Sequence, residues 1–323
     1  MDALLILRNI RVENANAVAG LTWGFPAISN FLGFVHALSR KLPTDLGLQL
    51  EGCGVICHKQ QIQSHQPRGW GDHVFALTRN PLTREEKSPA FNEEGRMHMT
   101  VSLLIPVVGL LDADSDPKEL EKMIEQLALS QRLAGGTIIS IKSVEFREPP
   151  EDTEGLQKFE RQQLRKLLPG FALVQRSDLL AEHTRHCIEL DPNAEPLDAW
   201  LDFSAIKFQA ELPEGEVDEQ TPAEWRYVPK PGGGWLVPMA TGYRGISQLY
   251  EAGAVARSRD STTLFRFVES VYSVGEWISP HRVTKLEQLI WRYQAEPESG
   301  WYLCRNSYQG KQRLITPSSP LLS

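Results

Sequence analysis

Over the first 149 residues two hydrophobic periods succeed each other in a fixed order, and that order limits the folds open to the chain. ALLILRNIRVE reads as a strand. From Pro26 to Lys41 the apolar residues Ile28, Phe31, Leu32, Val35 and Leu38 recur at helical spacing, and Pro26 suits a first turn because its missing N–H has no intrahelical partner there. LGLQLEGCGVICHK is strand-like again, with Leu46, Leu48 and Leu50 at period two. A third strand follows in RMHMTVSLLIPVVGLL, and then a helix from Pro117 to Leu133 carrying Leu120, Met123, Ile124 and Leu127. Ala134-Gly135-Gly136 ends that helix, and TIISIKSVEF is a fourth strand.

Strand–helix–strand, an excursion, then strand–helix–strand is the split βαβ, ferredoxin-like (RRM-like) plan of the α+β class. The excursion SHQPRGWGDHVFALTRNPLTREEKSPAFNEEG is longer than ordinary loops and is rich in Pro, Gly, Asn and charge. Within Gln60 to Glu94, Arg68, Arg79, Arg84 and Lys87 face Asp72, Glu85, Glu86, Glu93 and Glu94. The segment is therefore close to neutral and does not bind by bulk charge.

Glu148-Pro149-Pro150 marks a boundary between residues 1–149 and a second α+β region, 150–323. LQKFERQQLRKLL reads as a charged helix, and SDLLAEHTRHCIEL as another, capped by Ser177. VPKPGGGWLVPMATGYRGISQLY is punctuated too often for long elements, and a last helix is predicted around Lys285 to Tyr293.

Formal net charge is −7, which argues against a nucleic-acid partner until its distribution is read. Asp191 to Glu224 holds ten acids against Lys207 alone, so the rest of the chain carries +2 and has room for a basic track. Within it, ELPEGEVDEQTPAE reads as a solvated loop. No apolar run reaches the roughly 18 residues of a membrane span, and MDALLILRNIRVEN has an acid at position 2, unlike a signal peptide, so a cytoplasmic protein is expected. The four cysteines, Cys53, Cys57, Cys187 and Cys304, suit a reducing compartment. CGVICH and HTRHC could form two halves of a zinc site, but Cys53, Val55 and Cys57 share one strand face as buried hydrophobes would. The second half matches metal-ligand spacing poorly, so no metal and no cofactor is expected.

Trp23-Gly24-Phe25 lies at a helix N-terminus, where backbone N–H groups and the macrodipole favour an anion such as phosphate. Gly135 and Gly136 permit close approach of a sugar-phosphate chain, with Arg132 nearby to supply charge. His36, flanked by apolar residues in FVHAL, reads as a buried packing residue. No P-loop, H-E-x-x-H, G-x-S-x-G or dinucleotide fingerprint occurs.

The blocks NANAVAGLTWGFP, FLGFVHAL, FALTRNPL, EEGRMHMTVSLL, RLAGGTI, LLPGFALVQR, GWLVPMATGY and RFVESVYSVGEWISPHR, in that order, resemble one family across almost the whole chain. It is the subunit that caps the 5′ end of the guide RNA in the type I-F (Csy) CRISPR surveillance complex, within the repeat-associated RNA-binding superfamily. The resemblance implies a ferredoxin-like RNA-binding domain over 1–149 whose excursion, about 60–94, is a β-hairpin thumb, and a region 150–323 packed on the large subunit. Its partners would be the 5′ handle of CRISPR RNA, the large subunit and the terminal copy of the repeated backbone subunit, with target DNA met, if at all, through the complex. RLAGGTI matches the superfamily's glycine-rich loop. The RNA-contacting residues expected are Thr22, Trp23, Gly24 and Asn30 at the helix start, Phe75, Leu77, Arg79 and Asn80 on the thumb, and Arg132, Gly135 and Gly136 in the glycine turn. GRMHMTVSLL lacks the sheet aromatics of the familiar RNA recognition motif, so contacts should come from loops and the thumb. Related superfamily members cleave CRISPR repeats without metal by a histidine, and His36, His98 and His281 would be the candidates for that alternative. In type I-F systems a separate subunit does that processing, so no enzyme is expected here.

Overall fold

The structure is a computed structural model and describes residues 2–111, 115–212, 222–258 and 260–310. The centre of the acidic stretch, 213–221, lies outside the described residues. The architecture is mixed α+β: five α-helices, among the described residues, around a large antiparallel sheet of twelve strands.

The first half contributes β1 (Ala3–Asn16), α1 (Ile28–Ser39), β2 (Cys53–Ile62), β3 (Arg96–Val108), α2 (Pro117–Leu129), β4 (Gly136–Ser140) and β5 (Ser143–Arg147). Its strands lie in the order β4-β1-β3-β2, all antiparallel, with helices after the first and third. The predicted fourth strand is split, because β4 pairs with Arg11–Glu13 of β1 and β5 with Leu4–Arg8, on either side of an irregular step in β1.

Several predicted boundaries move. The first helix begins at Ile28 and ends at Ser39, so Pro26 precedes its N-cap, Ala27. Phe25 stacks on Phe31 of the helix at 5.6 Å and fixes the angle of entry. The second helix stops at Leu129. Arg132 and Leu133 form a short strand against Thr137 and Gly136, so the glycine turn is a hairpin tip and not a helix cap.

The second half supplies α3 (Thr153–Lys166), β6 (Phe171–Gln175), α4 (Ser177–Leu190), α5 (Pro196–Asp202), β7 (Trp235–Gly245), β8 (Val268–Ile278), β9 (Ile290–Glu296) and β10 (Trp301–Asn306). The helix predicted at Lys285 to Tyr293 is a 3-10 turn, Leu286–Leu289, followed by β9. A short apolar run does not distinguish strand from helix by period alone, and Ile290 and Trp291 are drawn into pairing with Gly54 and Cys53. The Pro-containing stretch expected to be irregular is the eleven-residue strand β7. It tolerates Pro238 because β10 pairs only with Gly242–Arg244, leaving Pro238 a partner, Val274, on one side. Ser177 is the first residue of α4 and makes no cap; its Oγ meets Ser273 Oγ at 2.7 Å.

Strand pairing runs past Pro150 without a break. From β2 the sheet continues through β6, β8, β7, β10 and β9, and β9 pairs back to β2, closing a six-membered ring of strands. Leu173, Met239, Trp277, Trp291 and Cys304 belong to the same apolar core as α1 and α2. Trp291 is fully buried and its Nε1–H donates to Leu173 O at 2.8 Å, tying β9 to β6.

Both faces of the first-half sheet are covered, which the uninterrupted apolar run Leu4-Leu5-Ile6-Leu7 reflects. Leu5, Leu7, Val101 and Leu103 pack toward α1 and α2. Leu4, Ile6, Ile56 and Leu104 pack against Leu164, Leu167, Val174 and Leu286 of the second half. Arg8, 7 % exposed, reinforces that seam: it donates to Glu145 at 2.5 Å and to Gln163 Oε1 of α3 at 2.7 Å.

Candidate functional site

Three of the segments singled out in the sequence are anchored side by side at the end of β1, by backbone hydrogen bonds. Asn16 N–H donates to Ala134 O at the glycine turn (2.8 Å), and Ala17 N–H to Gly95 O at the base of the excursion (2.9 Å). Ala17 O in turn accepts from Gly24 N–H (2.8 Å).

Residues 18–23 form a small hairpin, with Val18 opposite Trp23 and Ala19 opposite Thr22. Thr22 is buried and its hydroxyl donates to Ala19 O, so it shapes the hairpin and faces away from solvent. Trp23 is 57 % exposed, and its ring meets Phe75 edge to face at 5.4 Å. Leu21 N–H donates to Tyr272 Oη at 2.8 Å, which seats the hairpin tip on β8.

Beside Trp23 opens a cleft of about 140 Å³, lined by Thr22 through Ile28 and by Gln60, Ile62, Trp235, Met239 and Trp277. The N-terminus of α1 lies on its wall, without a side-chain cap and without an acid in its first turn. Asn30, half-buried, sits in that first turn. The cleft residues from β7 and β8 were not foreseen. They lie some two hundred residues from Trp23 in sequence, and only the closed strand ring brings them there.

The excursion leaves the ends of β2 and β3 and carries two short ladders, Ser64–His65 with Val74–Phe75 and Leu77–Arg79 with Phe91–Glu93. Leu77 and Arg79 share a face, and the Arg79 guanidinium lies 3.9 Å above the ring of Phe91, a residue that sequence reasoning missed. Leu77 and Phe91 are 62 % and 60 % exposed, and Asn80 is exposed just past the ladder.

In the glycine turn Ala134 and Gly135 both have positive φ, 50° and 75°. Gly135 is open to solvent, whereas a Cβ on Gly136 would lie 2.7 Å from Ala15 N and Glu13 O. Gly136 is therefore committed to packing against β1. Arg132 is exposed and donates to Gly135 O at 3.2 Å, bracing the turn.

The histidines are dispersed over different elements. His36 is exposed on α1, correcting its expected burial, with Tyr293 edge-on at 6.3 Å. His98 on β3 contacts Asn14 N and Gln63 Nε2, and His281 contacts Ser279 Oγ. Cys53 and Cys57 stay in the strand core, where burial pushes the Cys57 thiol up to about 11 and Cys53 further still. HTRHC lies on α4, where His183 and Cys187 cluster with Asp202 at the end of α5.

A family model described as CRISPR-associated protein (Cas_Csy2) matches residues 5–304. The chain belongs to the Csy2 family of CRISPR-associated proteins. It is 42 % identical over 310 residues to CRISPR-associated protein Csy2 of Pseudomonas aeruginosa (strain UCBPP-PA14), covering 93 % of this chain and 94 % of that relative. The Csy2 match bears out the type I-F resemblance read from the sequence blocks, and it spans both halves of the chain. Among the described residues of this Csy2-family chain, no helix is long and apolar enough to cross a membrane.

Proposed function

We propose that this chain is a non-catalytic subunit of a type I-F CRISPR RNA-guided surveillance complex that caps the 5′ handle of the CRISPR RNA. The observation that carries the proposal is the convergence on Asn16–Ala17 of the Trp23 hairpin, the base of the 60–94 excursion and the glycine turn. The strand order β4-β1-β3-β2 with helices after the first and third strands supports reading the first half as a ferredoxin-like, RRM-like domain. Such domains bind RNA across the open sheet face, but here that face is covered by α3 and the 3-10 turn, so the rim at the end of β1 takes over. There an exposed indole offers a stacking surface, typically worth about 1–3 kcal/mol per base. The uncapped N-terminus of α1 offers N–H groups to phosphate. The excursion acts as a thumb: being nearly neutral, it works as a wedge, with Leu77 and Phe91 apolar and Arg79 and Asn80 as donors.

On this reading residues 150–323 dock on the large subunit, beside the terminal backbone copy. The metal-independent endoribonuclease reading finds less support, since His36, His98 and His281 sit on separate elements. Crosslinking of the purified complex followed by mass spectrometry, with Trp23→Ala as comparison, tests the proposal. Peptides around Trp23, Phe75–Asn80 and Arg132–Gly135 should carry RNA adducts, and Trp23→Ala should lower guide retention without unfolding. Adducts confined to residues 150–323, or uncut precursor accumulating in a histidine variant, would sink it.

A further inference from the structure

α4 carries His183 and Cys187 one turn apart, on one face, and Asp202 ends α5 opposite them. His183 Nε2 lies 2.7 Å from Asp202 Oδ2 and 3.5 Å from Cys187 Sγ, and the three atoms are all within 4.8 Å of one another. A thiol–imidazole–carboxylate relay requires thiol and carboxylate on opposite ring nitrogens. Here both converge on the same nitrogen, so the group is not a nucleophilic dyad. Nitrogen, sulfur and oxygen converging on one point form a zinc-type donor set.

The spacing agrees with that chemistry. Bonds of about 2.0–2.3 Å in a tetrahedron hold ligand atoms about 3.4–3.6 Å apart. The sulfur–nitrogen pair already has that separation, and the nitrogen–oxygen pair, now at 2.7 Å, has to open by less than about 1 Å. Lys207 Nζ binds Oδ1, the other oxygen of Asp202, so Oδ2 is presented alone as a single ligand atom. Phe203 meets the His183 ring edge-on at 5.5 Å and holds its plane. His183 and Asp202 side chains remain 12 % and 22 % exposed, which leaves an entry path and room for water as a fourth ligand.

We propose that His183, Cys187 and Asp202 bind one zinc ion that clasps α4 to the end of α5. The clasp lies at the root of the projecting hairpin formed by Lys207–Glu211 and Glu224–Val228. The two helices also share a small apolar cluster in which Leu179, Trp200 and Phe203 meet Val274 of β8.

The test is titration of the metal-free full-length chain with Co²⁺ as spectroscopic probe and Zn²⁺ as competitor. One equivalent of Co²⁺ should produce a thiolate-to-metal charge-transfer band that Zn²⁺ abolishes. The band should be lost in Cys187→Ser and in His183→Gln and kept in Cys57→Ser, with circular dichroism showing that each variant is folded. Zn²⁺ should raise the melting temperature of the parent chain and leave that of His183→Gln unmoved. Absence of the band in the parent chain, or its persistence in Cys187→Ser, would overturn the site; should that variant not fold, persistence of the band in His183→Gln would overturn it equally.

Discussion

Gly135 and Gly136 are neighbours in one turn and are glycines for different reasons. Gly135 needs a left-handed backbone and has open space around it, so Gly135→Ala should cost about 1–2 kcal/mol, the left-handed penalty alone. Gly136 faces the main chain of β1, which has no rotamer to yield, so Gly136→Ala must displace β4 and should melt at a clearly lower temperature than Gly135→Ala. Equal melting temperatures for the two variants would refute the close-packing account. The pair Gly-Gly was visible in the sequence, but its two roles were not, because the partner strand lies more than a hundred residues away. Glu145 makes a second residue-scale case. Burial alone would raise its carboxyl, but the hydrogen bond and charge of Arg8, with Arg147 and Lys166, hold it below the usual carboxylate range. A carboxyl lowered in the folded state stabilises fully above its unfolded value, near about pH 4.3 for Glu. That contribution is lost as pH falls through the lower folded value. Glu145→Gln should therefore lower the neutral plateau of a stability–pH curve and leave its acid end nearly unchanged, so that the acid limb flattens; an unchanged plateau and limb would show that the Arg8 contact does not act on this carboxyl.

Elements were legible where one chain segment carries its own instructions. α1 and α2 announce themselves by period and flanking turns, and the excursion by its length and composition. The 3-10 turn and β9 did not, since LEQLIWRY satisfies both periods and only the pairing of Trp291 with Cys53 decides between them. The thumb is the element with the sharpest functional expectation. Removing residues 77–93, the ladder of Leu77–Arg79 with Phe91–Glu93 together with its tip, should expose a guide nucleotide to digestion in the assembled complex and leave attachment of the large subunit intact. Because the tip is near neutral, the salt dependence of guide binding should shift little, by about 0.7 in log–log slope for each arginine–phosphate contact removed. An unchanged nuclease footprint would refute the wedge assignment while leaving family membership untouched.

At the level of the whole molecule, the sequence marks Glu148-Pro149-Pro150 as a division while the sheet crosses it, because strand order depends on pairings that no local window contains. Residues 1–149 alone would bare Leu4, Ile6, Ile56 and Leu104, so the fragment is expected to aggregate or to bind hydrophobic dyes strongly, and the intact chain to unfold in one transition. A fragment that is monomeric with a sharp melt of its own would show that the seam is a contact between independent units. The anchor at Asn16–Ala17 has a consequence of another kind. Its three bonds are all amide to carbonyl and use no side chain, although Gly24 is held to glycine by its positive φ and Gly95 by its closeness to Val18. Exposed side chains such as Trp23, Arg79 and Arg132 can therefore be exchanged without touching the bonds that hold the hairpin, the base of the excursion and the glycine turn in the same relative orientation.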